Sequence, residues 1–342
     1  MKVGVVGASG YAGVELLRLC AAHPDLEVAV ATAGTNAGQP VAGHTPSLAA
    51  AYPSLVFEAT DPDRLDGLDL VFCALPHGES QKLVPRLLGR VGAIVDLAAD
   101  FRLKDPALYP TWYGEAHAAP ELLDRFAYGL PELFRAELLG DGLAGATLVA
   151  APGCYPTAAA LALAPLVRAG VVEPTGIVVD AASGVSGAGR GLSDRLHFGA
   201  VDEDFTAYGL LSHRHTPEME QAIGAQLLFT PHLAPMVRGI LATCYARPTG
   251  TVTTADLLAL LADTYAGEPF VVVTDNPPST KATAGSNCAH LTVRVDPRTG
   301  WVVVLSALDN LVKGAAGQAV QCANLVLGRP ETTGLPLVGL YP

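Results

Sequence analysis

A chain of 342 residues is long enough for two domains, and a composition that is 50% hydrophobic gives each a sizeable core. The net charge is −12 and no run of basic residues appears, which argues against a nucleic-acid partner. No apolar stretch approaches the roughly 18 residues of a membrane span. The opening MKVGVV leads straight into a glycine-rich turn, without the apolar core and cleavage site of a signal peptide, so a soluble cytoplasmic protein with no membrane partner is expected.

The first half alternates strand-like and helix-like segments. Residues 2–6 are a short β-branched run, 7–13 a turn, and 14–22 a helix ended by Pro24. Strands follow at 26–32 and 68–75, the latter closed by Pro76, then a helix at 79–88 and apolar runs at 93–97 and 147–150. Runs without polar alternation suit strands buried on both faces, and their alternation with helices predicts a doubly wound parallel sheet. The second half differs. A strand at 176–180 ends in a glycine-rich loop, 183–191, and a long strand is expected at 236–246. A helix at 255–265 has Thr254 as its expected cap, and runs at 290–295 and 301–308 flank the hairpin signal DPRTG. This pattern predicts an α+β domain with a mixed or antiparallel sheet. A long apolar helix from 311 closes the chain. The expected division is 1–151, completed by 311–342, and 152–310.

Gly7, Ala8, Ser9, Gly10, Tyr11, Ala12 and Gly13 lie between a strand and a helix. In that setting glycines let the backbone approach a pyrophosphate, and the helix N-terminus supplies donors and partial positive charge. The spacing is GxxGxxG rather than GxGxxG, so the strand-turn-helix context carries the reading. A carboxylate after the second strand would favour NAD. Here Thr32, Thr35 and Asn36 stand there instead, and NADP(H) is expected.

The six cysteines are far apart and form no CxxC pair, so neither a disulfide framework nor a metal site is expected. Cys154 alone sits in a turn, APGCYPT, at the start of an alanine-rich helix. A helix N-terminus favours the thiolate, and its amides suit an oxyanion. A nucleophilic cysteine needs an acid or base, and HRHTPE places His213, Arg214, His215 and Glu218 together. A second glycine-rich loop, SGVSGAGR, ends in Arg190, a candidate anion ligand.

The chain closely resembles the N-acetyl-gamma-glutamyl-phosphate reductase family, the arginine-pathway branch of the semialdehyde dehydrogenases. The likeness covers nearly the whole chain. It rests on GASGYAG (7–13), LPHG (75–78), DLAADFRL (96–103), YGLPE (128–132), APGCYPT (151–157), SGVSGAGR (183–190), HRHTPE (213–218) and DNLVKGAAGQA (309–319). The resemblance implies a Rossmann-like doubly wound sheet followed by a catalytic domain of the semialdehyde dehydrogenase type. It implies NADPH-dependent reduction of N-acetylglutamyl phosphate to the semialdehyde, with release of phosphate, by a homodimer or homotetramer in arginine biosynthesis. Cys154 is then the nucleophile that forms a thioester. His215 is the first choice for the acid/base and His213 the second. Pro76, Ser183, Gly184 and Asn310 are implied at the cofactor, and Arg102, Ser186, Arg190 and Glu218 at the substrate.

Two departures stand out. An arginine frequent after the second strand is missing, and Ala98 replaces a frequent serine. Two rivals keep the chemistry: an aminoadipyl-phosphate reductase of lysine biosynthesis, and aspartate-semialdehyde dehydrogenase. A third, a noncatalytic dinucleotide-binding sensor, keeps only the fold.

Overall fold

The structure is a computed structural model that describes residues 1–140 and 147–341. It comprises two compact units: Met1–Pro152 with Ala315–Leu335, and Gly153–Gly314 with Pro336–Pro342. The tail 336–342, expected with the first domain, belongs to the second unit.

The first unit is built on β1 (Lys2–Val6), β2 (Glu27–Thr32), β3 (Leu70–Cys73), β4 (Ala93–Asp96), β5 (Ala127–Tyr128) and β6 (Leu148–Ala150). Its helices include α1 (Tyr11–Ala22), α2 (Val41–His44), α3 (Ser80–Leu87), α4 (Leu108–Tyr113) and α5 (Pro131–Leu139). All strand pairs are parallel, in the order β2-β1-β3-β4-β6-β5. The strands are shorter than expected at β3, because Ala74 to Pro76 leave the ladder to form a loop. Every residue of β3, β4 and β6 is buried, as the unbroken apolar runs required. Strand order reverses between β1 and β3, and ligands of such sheets bind at the C-terminal ends of the strands beside that switch point.

One buried acid in this unit carries a pH dependence. Asp96 ends β4 fully buried, and its Oδ1 accepts from the Ser80 hydroxyl at 2.6 Å and the Ala98 amide at 3.1 Å. Its Oδ2 has no hydrogen-bond partner among the described residues. Burial pushes the carboxyl up to about 7, against the lowering effect of the Ser80 hydrogen bond. The folded value exceeds the unfolded one, so the folded chain holds a proton that the unfolded chain releases. That stabilisation is complete below the unfolded value and is lost as pH rises through about 7. Asp96→Asn is uncharged throughout and keeps an oxygen for Ser80. It is expected to lose less melting temperature than the wild type between about pH 4 and pH 7. Parallel losses in the two proteins would refute this assignment.

The second unit opens with α6 (Cys154–Arg168), followed by β7 (Ile177–Gly184), α7 (Phe198–Val201), β8 (Thr206–Ala207), α8 (Thr216–Ile223), β9 (Leu227–Ala234) and β10 (Ile240–Ala246). Then come α9 (Thr254–Thr264), β11 (Val271–Val273), α10 (Thr280–Thr283), β12 (Ala289–Val295) and β13 (Val302–Leu308). The seven strands run β11-β12-β13-β10-β7-β9-β8. The pairs β12·β13, β13·β10 and β10·β7 are antiparallel and β7·β9 is parallel, so the sheet is mixed. The DPRTG hairpin joins β12 to β13 as its sequence predicts. The expected strand at 236–246 begins only at Ile240, because residues 236–239 turn to meet the end of β7. The cap of α9 is Thr253 rather than Thr254, in a reciprocal pair with Asp256.

Side chains on this sheet alternate. Val179, Ala181, Phe229, Ala242, Cys244 and Val304 are buried, and on this sheet α6 packs against β10 and β13, α8 against β9 and α9 against β12. Their neighbours Val178, Leu228, Leu241, Tyr245, Val303 and Leu305 point to the opposite face and are only partly covered or exposed. The chain then enters a π-helical turn, Val312–Ala316, and α11 (Gly317–Val326). The single apolar helix expected from 311 is thus two pieces. The α11 helix carries buried Gln318 and Gln321, whose Nε2 atoms donate to the Gly129 carbonyl and to Glu132.

Candidate active site

The first unit holds the dinucleotide cradle. Gly7 has φ +79, and a Cβ there would lie 2.2 Å from the Ala74 carbonyl oxygen, so only glycine lets the turn after β1 touch the loop after β3. A Cβ on Gly13 would lie 2.3 Å from the Gly7 carbonyl oxygen, which seats the first turn of α1 directly on the loop. Gly10 caps α1 without a side-chain hydrogen bond, and no acid lies in the first turn. The free amides and positive helix end fit a pyrophosphate, as the dinucleotide reading requires.

At the end of β2, Thr32 is fully buried and its Oγ1 meets Thr60 Oγ1 at 2.9 Å, while Thr35 is exposed and Asn36 half-buried. Pro76 is exposed in the loop after β3. That loop is braced by Asp100, which accepts from the amides of Gly78 at 2.8 Å and Gln81 at 3.0 Å and pairs with His77 Nδ1 at 2.6 Å. The loop brace was invisible in the sequence, because nothing about spacing links LPHG to DLAADFRL. Arg102, expected at the substrate, is buried, with Nε on the Ala151 carbonyl at 2.8 Å and Nη2 on the Leu97 carbonyl at 2.7 Å. Those bonds give it a role in holding the ends of β4 and β6.

The second unit holds the cysteine turn APGCYPT from Gly153 onward. Gly153, extended at φ −69 and ψ 158, is the N-cap of α6, and Cys154 is its first residue. The N-cap is a glycine with no side chain of its own, and the positive end of the helix lies at the thiol. Cys154 is half-buried. The other five cysteines are buried, and burial pushes the thiols of Cys20 and Cys244 up to about 12. Position at a helix start therefore separates Cys154 from the rest.

The Gly153 amide itself is held by Glu218, whose Oε1 accepts from it at 2.8 Å. Glu218, expected at the substrate, lies fully buried in the first turn of α8, where it joins the histidine segment to the cysteine turn. Glu218→Ala leaves a buried amide unsatisfied and is expected to lower unfolding stability by about 1–3 kcal/mol. Glu218→Gln, which keeps an oxygen acceptor, should recover at least half of that loss in urea unfolding. Equal losses would show that the bond to Gly153 does not matter.

His213 is packed edge-on against Tyr155, Tyr208 and Phe229, with ring centroids 5.7, 5.5 and 5.2 Å away, and 4.8 Å from His215. Burial, then the Arg214 charge, lowers its pKa to about 4. Its Nδ1 accepts the His215 amide at 3.1 Å, which puts the proton of the neutral ring on Nε2. His215 caps the start of α8. Tyr208 donates to the Tyr155 hydroxyl at 3.2 Å, and Tyr155 to the His232 carbonyl at 3.1 Å. Burial raises both phenols, Tyr208 to about 12, and the Cys154 charge raises both further, so they stay protonated beside the thiol. Neither tyrosine was singled out from the sequence, since isolated tyrosines carry no spacing signal.

The loop after β7 is fixed from inside the same unit. A Cβ on Gly184 would lie 2.7 Å from the Arg238 amide nitrogen and the Val237 carbonyl oxygen. Asn310 Oδ1 accepts from the Gly239 amide at 2.8 Å and its Nδ2 donates to Ser186 Oγ at 3.0 Å, while Ser183 Oγ donates to the Gly184 carbonyl. Arg190 lies in the exposed stretch beyond that loop.

Residues 2–140 match the family described as semialdehyde dehydrogenase, NAD binding domain, and residues 154–310 the one described as semialdehyde dehydrogenase, dimerisation domain. The N-acetyl-gamma-glutamyl-phosphate reductase of Symbiobacterium thermophilum is 50% identical, over 100% of this chain and 99% of that protein. The protein of the same name from Desulforudis audaxviator is also 50% identical, over the whole of both. The chain belongs to the N-acetyl-gamma-glutamyl-phosphate reductase family. Among solved structures, aspartate semialdehyde dehydrogenase II from Vibrio cholerae aligns with a TM-score of 0.68 at 15% identity, covering 96% of this chain and 98% of that one. The enzyme of that type from Candida albicans, solved with NADP, aligns at 0.66 and 15%, covering 95% and 98%. Those likenesses establish the semialdehyde dehydrogenase fold.

Proposed function

We propose that the protein reduces N-acetyl-γ-glutamyl phosphate to N-acetylglutamate semialdehyde with NADPH, through a thioester on Cys154, in the cytoplasmic route to arginine. The observation that carries this reading is Cys154 at the first position of α6, between Gly153, whose amide Glu218 holds, and Tyr155, whose ring meets His213 and His215. Its thiolate attacks the acyl carbonyl, and the α6 amides hold the oxyanion. The bond from carbon to the phosphate oxygen breaks, and phosphate leaves with a proton that His215 donates. His213 is depressed to about 4 and neutral at physiological pH, so it orients rather than protonates. NADPH, when bound, supplies the hydride that takes the thioester to the aldehyde level. Cleavage of the carbon–sulfur bond then returns the Cys154 thiolate. Arg190 serves the anionic ends of the substrate.

NADP(H) is favoured because no free acid stands where the ribose would lie. Glu58, whose backbone bridges Thr32 and Ala33, has its carboxylate held by Arg64 at 2.7 and 3.0 Å. Self-association, as a homodimer or homotetramer, is supported by the uncovered apolar face of the seven-stranded sheet. Among the described residues no helix is long and apolar enough to cross a membrane.

The test pairs the purified protein with acetylglutamate and aminoadipate semialdehydes, each with NADP+ or NAD+ and phosphate. A higher kcat/KM by about 10–200-fold is expected for the acetylglutamyl compound over one that is a methylene longer. NADP+ should be preferred over NAD+. Equal rates with both cofactors, or preference for the longer acyl chain, would overturn the corresponding assignment.

A further inference from the structure

The side chain of Cys154 meets a second element besides its own helix. A Cβ built on Gly314 would lie 2.7 Å from Cys154 Cβ and 3.2 Å from its Cα. Contacts that short do not occur between real side chains. Gly314 sits in the π-helical turn Val312–Ala316, and its amide donates to the Asp309 carbonyl at 2.9 Å, five residues back. Single π turns are rare and cluster at functional positions. We propose that Gly314 is a positioning residue for the nucleophile: its bare Cα is the wall against which Cys154 is set, and the π turn exists to bring that wall into contact. The proposal rests on Cys154 being the nucleophile.

The wall cannot retreat, because three buried residues pin its turn to other segments of the second unit. Asp309 Oδ1 accepts from the amides of Leu311 at 2.8 Å and Val312 at 3.2 Å, and its Oδ2 from the Gly285 amide at 2.7 Å. Asn310 is tied to Gly239 and Ser186. Lys313 is fully buried, with its ammonium 5.5 Å from the Phe270 ring centroid. An added methyl group therefore displaces the cysteine turn rather than the π turn. Displacement by even part of an ångström moves Sγ away from the α6 amides that favour its thiolate, and an error of about 1 Å costs on the order of 100-fold in rate.

The experiment compares Gly314→Ala with Val312→Ala. Val312 is fully buried in the same turn, and its side chain is not part of the site. Iodoacetamide alkylation of Cys154 across pH, read on its peptide, reports the thiolate without cofactor or substrate. Gly314→Ala is expected to lower kcat about 100-fold, with KM for the semialdehyde changed far less, and to move the alkylation midpoint to higher pH. Val312→Ala should lower the melting temperature while leaving the alkylation profile at its wild-type position. An unchanged alkylation midpoint in Gly314→Ala overturns the proposal. So does the same shift in Val312→Ala, since general loosening of the turn would then explain both. Activity surviving in Cys154→Ala would instead defeat the reading of the nucleophile.

Discussion

Replacing Cys154 with alanine is expected to lower kcat/KM for phosphate-dependent oxidation of the semialdehyde by more than about 10⁴-fold. The size follows from what is lost. Without the sulfur there is no covalent acyl carrier, and the amides at the start of α6 have no tetrahedral centre to hold. Folding should be little affected, because Cys154 is only half-buried and the turn is anchored through Gly153 and Glu218. NADP(H) binding, followed by nucleotide fluorescence, should remain near wild type, since the cradle at Gly7, Gly10 and Gly13 belongs to the other unit. Retained turnover in the variant would mean that acyl transfer to phosphate needs no thioester.

His215→Asn is the second large effect, with kcat expected to fall about 10²–10⁴-fold. The two histidines are two positions apart in sequence but differ in environment. His213 lies among three aromatic rings, and burial with the Arg214 charge holds it at about 4, below the range where an acid serves a neutral-pH reaction. Its Nδ1 is committed to the His215 amide, so its contribution is to fix the ring that follows. His213 is neutral from about pH 5 upward, so it cannot produce a limb near neutrality. His215→Asn should therefore abolish the limb assigned to the proton donor. His213→Asn should lower the rate by less and leave that limb in place. Loss of the limb in His213→Asn alone would exchange the two roles.

Much of this site was legible as residue types at a suggestive spacing. The turn GASGYAG and the cysteine of APGCYPT lie on local chain, and local chain is where backbone needs leave marks: Gly7 at positive φ, a helix start after Pro152. The π turn left no such mark. DNLVKGAAGQA reads as continuous helix, and only the distance from Gly314 to Cys154 shows why the helix is broken. Glu218 and Arg102 were visible as charges near the right motifs, yet their hydrogen bonds run to backbone groups of Gly153, Ala151 and Leu97. Tertiary pairing of a charge with a distant amide or carbonyl has no periodicity to read. The same holds for Tyr155 and Tyr208, which meet across 53 positions.

In the second sheet the β12·β13 hairpin was accessible through turn chemistry, but the strand order and the start of β10 were not. Residues 236–239 continue the chain as if extended, and they turn because Gly184 allows the backbone of Val237 and Arg238 to come close. Glycine at 184 was read as a place for ligand approach. Its nearest neighbours are backbone atoms of Val237 and Arg238, in the turn between β9 and β10.

The most direct test of the thioester is a single-turnover measurement with phosphate left out. Phosphate is the acyl acceptor in the oxidative direction, so semialdehyde and NADP+ alone should leave the acyl group on the enzyme. A burst of NADPH equal to the active-site concentration is expected, together with an acyl mass on the peptide bearing Cys154, both abolished in Cys154→Ala. No burst without phosphate, or an acyl group on any other residue, would contradict the account.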